Sequence, residues 1–513
     1  MLTIQRIFPT AVILAACTAA AAQWSDDPQV NTLVSGGETG CVVTHAAGTP
    51  DGHVWVAWYD SGSGYDIRLQ RLDHQGEALF DPPVLISDQE LSWVQDFDLA
   101  CDAAGRAVVA WAGSSYIGAL LVNHAGDVVW SHEFAGGSGA FLGSAQVCGT
   151  SDGDVVVGWL QDEPSYFQRV TPSGGIAWLS ERVIDAGGTT AVSDLQPTPD
   201  GGVVASFVHY LTFTGPKRLK AQRLSVLGTP LWGSEPVDVF TSGSLQFGAY
   251  PEFISDGSGG GVFSWYETSP LMARVQWVDG AGSPRWGSSG AAVTTESAMV
   301  HVAPAAALDD ATGDVTVYWI RQNATQSTAG VQANRFDQDG TPQWGGAGTQ
   351  VVAPSPGSVL DLQAGMLGDL ATGMWISDAS LGGSRVVGAA LDPAGTMQWG
   401  AAPTVLGSGG GTRQDLSIAR AITRASGQGI AVWSDNRDAA SRVYAQNVNA
   451  DGTLGGGPAC LADLSGDGQV GTDDVLAIIG MWGPCGGCPE DLSGDGIVGA
   501  DDLLEVLSQW GPC

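Results

Sequence analysis

The feature that most restricts this chain is a repeat. An apolar run ending in an aromatic recurs eight times: "VWVAW" to Trp58, "AVVAW" to Trp111, "VVVGW" to Trp159, "GVVASF" to Phe207, "GVFSW" to Trp265, "VTVYW" to Trp319, "ATGMW" to Trp375 and "GIAVW" to Trp433. Each is followed by a glycine turn that leads into a second aromatic, as in "GEALF" (76–80), "GDVVW" (126–130), "GGIAW" (174–178), "GTPLW" (228–232), "GSPRW" (282–286), "GTPQW" (340–344) and "GTMQW" (395–399). The eighth copy, "GTLGG" at 452–456, has lost its aromatic. Successive first anchors lie 48 to 58 residues apart. That is room for four strands of about five residues with their turns. Apolar and polar residues alternate in short runs bounded by Asp-Gly and Gly-Gly, the pattern of antiparallel strands.

A chain of such units has exposed strand edges unless the units are arranged radially. The expected fold is therefore mainly β, an eight-bladed β-propeller over residues 23–448. Repeat eight runs into a Gly-rich linker, 449–459, without a final strand, whereas "PQVNTLV" (28–34) precedes the first repeat. The N-terminal strand is expected to complete the last blade and close the ring. Regular recurrence assigns the Trp and Phe anchors to packing between blades, not to a carbohydrate platform. Tyr65, Tyr116, Tyr166 and Tyr210 stand where loops begin and are the candidates for a recognition face. The segments "SDGSGGGVFSWYE" (255–267), "IRLQRLDHQGEALF" (67–80) and "VYAQNVNADG" (443–452) resemble secreted bacterial propeller repeats. That resemblance bears on fold and says little about ligand.

The acid–base balance, 54 Asp and Glu against 20 Lys and Arg, gives a formal net charge of −34. Such a surface repels phosphate backbones and anionic lipid, so no nucleic-acid partner is expected. Residues 1–22 combine a basic start with an apolar run ending in Ala20-Ala21-Ala22. They read as a signal peptide, too short to span a bilayer. The alternative is lipoprotein processing at "LAAC", which would place a lipid on Cys17. No transmembrane segment follows, and the expected location is secreted or at the cell surface.

The most specific motif lies at the end. "CLADLSGDGQVGTDDVLAIIGMWGPC" (460–485) returns as "CPEDLSGDGIVGADDLLEVLSQWGPC" (488–513), offset by 28 residues. Each copy fits a calcium loop of the EF-hand type, in which oxygen ligands alternate along twelve residues around a glycine. The first set is Asp463, Ser465, Asp467, Gln469 through its carbonyl, and Asp474; the second is Asp491, Ser493, Asp495, Ile497 through its carbonyl, and Asp502. Carboxylates and carbonyls suit Ca²⁺ better than a transition metal, and two sites are expected. An amphipathic helix follows each loop but none precedes it. Val470 and Val498 are placed to pair the loops or seal their core.

This duplicated half EF-hand, ending in Trp-Gly-Pro-Cys, resembles a GC-type dockerin. The resemblance implies a small all-α, calcium-binding dockerin-like domain over 460–513. It also implies a cohesin-like or cell-surface partner, met through Thr472, Asp473, Ala500 and Asp501 and the helix face that follows. Well-known cohesin binders carry Ser-Thr at those positions. Cys460, Cys485, Cys488 and Cys513 are expected to form two disulfides in an oxidising compartment. Pairing 460–485 with 488–513 closes each copy and is favoured. Pairing 460–513 with 485–488 also respects the repeat.

For the propeller, the seven histidines show no zinc-ligand spacing, and there is no Gly-x-Ser-x-Gly elbow. The expected function is that of an exported, non-catalytic binding or scaffold protein, docked by its C-terminal module, with a glycan as one candidate ligand for the propeller. The alternative is a polysaccharide hydrolase or lyase whose carboxylates come from separate blades.

Overall fold

The computed structural model describes residues 24–49, 52–88, 97–136, 139–378, 383–419, 427–456, 462–465, 469–485, 488–493 and 496–512. The leader, with Cys17, lies outside them. Eight four-stranded antiparallel sheets follow one another along the chain. In blade 1 the strands are Cys41–Gly48, Val54–Asp60, Asp66–Leu72 and Val84–Ser87, and each pairs with the next. Among these the second strand is buried throughout, which explains why its sequence is a continuous apolar run instead of an alternating one.

The first strands of the blades stand against one another in sequence, from Cys41–Gly48 round to Arg413–Ile418, which in turn touches Cys41–Gly48. They form the inner ring of an eight-bladed propeller. Closure follows the expected route. Thr32 and Leu33 pair antiparallel with Ala445 and Tyr444, adding the fourth strand to the sheet of blade 8. Asn31 reinforces the joint by donating to the carbonyl of Leu406 at 2.9 Å and to Gln446 Oε1 at 2.9 Å.

The anchors pack as the repeat implies. Trp58, Trp159, Trp265, Trp319, Trp375 and Trp433 are all at or below 2% exposed. The second aromatics sit on the glycine turn of the next blade. Trp232, Trp286, Trp344 and Trp399 donate their indole N–H to the carbonyls of Gly280, Gln338, Pro393 and Ala450, each at 3.0 Å. These turns need glycine twice over. Gly282 has φ +84°, and a Cβ there would stand 2.5 Å from Trp232. The aromatic missing from repeat eight is supplied by Trp24. Its indole donates to the His74 carbonyl at 3.0 Å, and its ring covers Gly76. The N-terminal segment thus contributes both a strand and an anchor to blade 8.

The C-terminal repeats fold into two nine-residue helices, α1 (Thr472–Gly480) and α2 (Ala500–Ser508). Acidic residues fill the first turn of each, where they complement the helix dipole. The unit is not all-α. Gln469–Val470 pairs with Gly511–Pro512, and Gly483–Pro484 pairs with Ile497–Val498. Each copy therefore lends the strand that follows its helix to the loop of the other. Val470 and Val498 are buried with Ala462, Ile478 and Val506 in a small core. They seal that core, but the two loops do not pair with each other.

A disulfide joins Cys485 to Cys488. This bridge belongs to the alternative pairing, 460–513 with 485–488, and not to the favoured 460–485 with 488–513; it spans the junction between the copies instead of closing either one. Cys460 and Cys513 lie outside the described residues. Among the described residues no helix is long and apolar enough to cross a membrane.

Candidate functional site

Two regions gather chemistry. In the C-terminal repeats the carboxylate at the last loop position folds back over its own loop. Asp474 accepts from the amides of Ser465 at 2.8 Å and Gly471 at 2.6 Å; Asp502 accepts from Ser493 at 2.8 Å and Gly499 at 2.6 Å. Both carboxylates are buried. Burial alone would raise their pKa, but the amide donors outweigh it and hold both below the ordinary value. From the other end of the second loop, Asp491 accepts from the Gly496 amide at 2.9 Å. Ser465 and Ser493 donate towards Asp463 and Asp491 at 3.2 and 3.5 Å.

First and last loop positions are thus stitched to the same short turn, with oxygen atoms as the available donors. That donor set fits a hard divalent cation such as Ca²⁺, which would take the Asp463, Ser465 and Asp474 oxygens in one loop and their counterparts in the other. Asp467 and Asp495 lie outside the described residues. Among the described ones, no three His, Cys, Asp or Glu side chains group to hold a metal. Gln469 and Ile497 lie in the short strands that border the loops.

Thr472, Asp473, Ala500 and Asp501 are all exposed at the helix N-termini. Thr472 heads a stripe that continues at helical spacing through Leu476 and Ile479 and ends at Trp482; Ala500 heads its copy through Leu504, Leu507 and Trp510. These six apolar side chains are 49–62% exposed. The sequence named the heads of the stripes by residue and the helix face behind them only in general. The signal was present: each helix carries more apolar positions than its buried face, Val475 and Ile478 or Leu503 and Val506, can use.

The second region is the inner ring. Asp98 on blade 2 accepts from the amide of Val147 on blade 3 at 2.9 Å, and Asp194 on blade 4 from Phe253 on blade 5 at 2.8 Å. Asp361 reaches Leu416 at 3.3 Å, and Asp415 reaches Val43 at 2.8 Å, across the 7–8 and 8–1 junctions. Enclosure pushes the Asp98 carboxyl up to about 6, with Glu252 adding to the rise and His45 opposing it. Burial raises Asp194 well above the ordinary carboxylate value, and Glu252 and Asp98 raise it further. Three carboxylates from blades 2, 4 and 5 therefore feel one another. Beside Glu252 a pocket of about 220 Å³ opens in the ring wall between Tyr250, Ser264, Pro304 and Gln363. Among the tyrosine candidates, Tyr65 packs edge-on against Tyr59 and Tyr166 stacks on Trp159, so both serve packing.

No family model and no curated protein matches the chain. Among solved structures it is similar to a polysaccharide lyase, an ulvan lyase, at 9% identity and a TM-score of 0.44, over 85% of this chain and 98% of the other. It is also similar to an α-L-arabinanase of Penicillium chrysogenum, at 10% identity and a TM-score of 0.35, over 60% and 94%. A protein of unknown function from Dyadobacter fermentans is similar at 11% identity and a TM-score of 0.36, over 82% and 98%. Likeness at this level carries no argument; the eight-bladed propeller stands on its strand pairing.

Proposed function

We propose that this chain is an exported binding protein. Its propeller presents a recognition face, while its C-terminal dockerin-like repeats take two calcium ions and dock onto a protein partner, cohesin-like or at the cell surface. The observation that carries the docking role is the exposed apolar stripe, repeated at Leu476 and Leu504, Ile479 and Leu507, Trp482 and Trp510. Exposed apolar side chains in such density mark an interaction surface. Calcium would act on the loops that set the angle of each helix, so docking should depend on it. The test is capture by the full chain from the host's secreted and envelope fraction. Capture is expected in Ca²⁺, is lost in EDTA, and is lost when Asp463→Ala and Asp491→Ala are combined. Calorimetric titration with Ca²⁺ should give two sites in the parent and none in the double variant. A partner retained equally well in EDTA would overturn the calcium-dependent docking.

The reading as a polysaccharide hydrolase or lyase has one observation in its favour, the approach of Asp98, Asp194 and Glu252. Against it, Asp98 and Asp194 each already accept a backbone amide of the next blade. Among the three, only Glu252 is exposed. Turnover of a polysaccharide that is lost in Glu252→Gln would favour the enzyme.

A further inference from the structure

Two segments depart from the repeat, and they meet. The connection from blade 4 to blade 5, residues 239–252, is the longest between described blades, and the first strand of blade 5 is correspondingly cut to Phe253–Ser255. The pocket beside Glu252 opens at this shortened strand, whose Phe253 and Ile254 line it. The loop between the second and third strands of blade 4, residues 211–217, is also the longest of its kind among the described loops. Because strand direction alternates within a blade, that loop and the interblade connection emerge on the same face. There Phe213 and Phe247 touch edge to face, with ring centroids 5.3 Å apart. They are 67% and 62% exposed, and Tyr250, at the pocket mouth, is 41% exposed.

The loop is tied together by an internal cation. The Lys217 ammonium lies 5.0, 5.7 and 5.4 Å from the ring centroids of Tyr210, Phe213 and Phe247, and donates to the Phe213 and Gly215 carbonyls. Lys217 is buried, so it fixes the rings and offers no charge to a ligand. The result is a pair of exposed aromatic rings, with exposed Tyr250 at the mouth of a small pocket whose lining includes carboxylate, hydroxyl and amide groups. A sugar ring has the matching chemistry: apolar C–H faces to lie on the rings, and a hydroxyl edge to hydrogen-bond in the pocket. Glu252 at the mouth, the neighbouring Asp98 and Asp194, and a net charge of −34 disfavour uronate or sulfated chains.

We propose that the face formed by residues 211–217 and 239–252 is a binding site for a neutral polysaccharide, with Phe213, Phe247 and Tyr250 as the stacking platform. This rests on reading the propeller as a recognition face, and it is independent of the calcium loops. Affinity electrophoresis of the full chain in xyloglucan, galactomannan, mixed-linkage β-glucan and linear arabinan tests it, with alginate as the anionic comparison. At least one neutral polysaccharide should retard the protein equally in Ca²⁺ and in EDTA, and alginate should not. Phe213→Ala with Phe247→Ala should weaken retardation about tenfold or more; Tyr210 and the Phe213 and Gly215 carbonyls still hold Lys217 in this variant, so it should remain folded with a lowered unfolding temperature. Tyr250→Ala should weaken it on its own. The proposal fails if none of the neutral probes binds, if alginate binds as well, if binding survives these substitutions, or if the face instead captures a peptide or protein. Calcium-dependent capture of a partner without glycan binding would overturn this site and leave the docking role intact.

Discussion

Trp24→Ala tests the closure of the ring at its most informative point. The indole is 3% exposed, covers Gly76 and donates to the His74 carbonyl. A tryptophan buries roughly 150–250 Å², so at about 25 cal/mol per Å² its removal forfeits some 4–6 kcal/mol as an upper bound. Large-to-small core substitutions of this kind cost about 3–5 kcal/mol. A terminal segment can relax or detach, so about 3 kcal/mol is expected here. Detachment has a second consequence, because residues 24–35 hold the outer strand of blade 8, and their loss bares the edge of Arg442–Asn449. Trp399→Ala is the matched control: the same slot, one blade earlier, with no chain end involved. Denaturant unfolding should show a comparable loss for both. Limited proteolysis with N-terminal sequencing should show new cleavage near residues 24–35 for Trp24→Ala alone. A loss under about 1 kcal/mol, or an N-terminal segment as protected as in the parent, would refute the view that Trp24 is the eighth anchor.

Other outcomes follow from named contacts. Asp98 takes up a proton more readily in the fold than in the unfolded chain, so its contribution is fully present below the ordinary carboxylate value of 3.8 and is lost as pH rises through about 6. A shift of that size corresponds to about 3 kcal/mol between acidic and neutral pH. Asp98→Asn should remove that slope from a plot of stability against pH, even though one of the Leu99 and Val147 amides loses its acceptor and the baseline falls; an unchanged slope would refute the assignment. Gly282→Ala combines φ +84° with a Cβ 2.5 Å from Trp232, and should cost about 2–4 kcal/mol in denaturant unfolding. Non-reducing digestion and mass spectrometry should recover a peptide carrying the Cys485–Cys488 bridge. Replacing both by serine should destabilise the C-terminal repeats by roughly 2 kcal/mol, as expected for so short a loop.

What could be read from sequence was whatever recurs locally. The strand ending in Trp58 or Trp433 states its own burial, because an unbroken apolar run flanked by glycine turns has few alternatives. The closing strand was legible through bookkeeping: repeat eight lacked a strand, and 28–34 had one to spare. Trp24 was not legible, since its slot lies more than 400 residues away in sequence, beside 452–456. The inner-ring carboxylates were hidden for a related reason. Asp98, Asp194 and Glu252 sit in unlike local contexts, and only the curvature of the ring brings them within electrostatic reach. Of the two pairings the repeat allows, the Cys485–Cys488 bridge belongs to the less favoured one, because the copies are built around each other and are not closed singly.

That last point ties the two repeat arrays together. A linear array leaves its terminal units with an uncovered face or edge, and solenoids answer with capping repeats. This chain answers twice by exchange. Blade 8 borrows a strand and an indole from the N-terminus. In the C-terminal pair, Gly511–Pro512 completes the first loop and Gly483–Pro484 the second. In blade 8 and in the first loop the borrowed piece comes from the far end of the array, while the second loop takes its strand from the end of the copy before it, so neither copy of the small unit can form its strand pairing alone. The consequence for the site is direct. The angle of α1 depends on the segment after α2, and the reverse holds as well. A cation bound in one loop would therefore order the stripes on both helices, and loss of either loop's carboxylates should disorder the whole apolar face, not half of it.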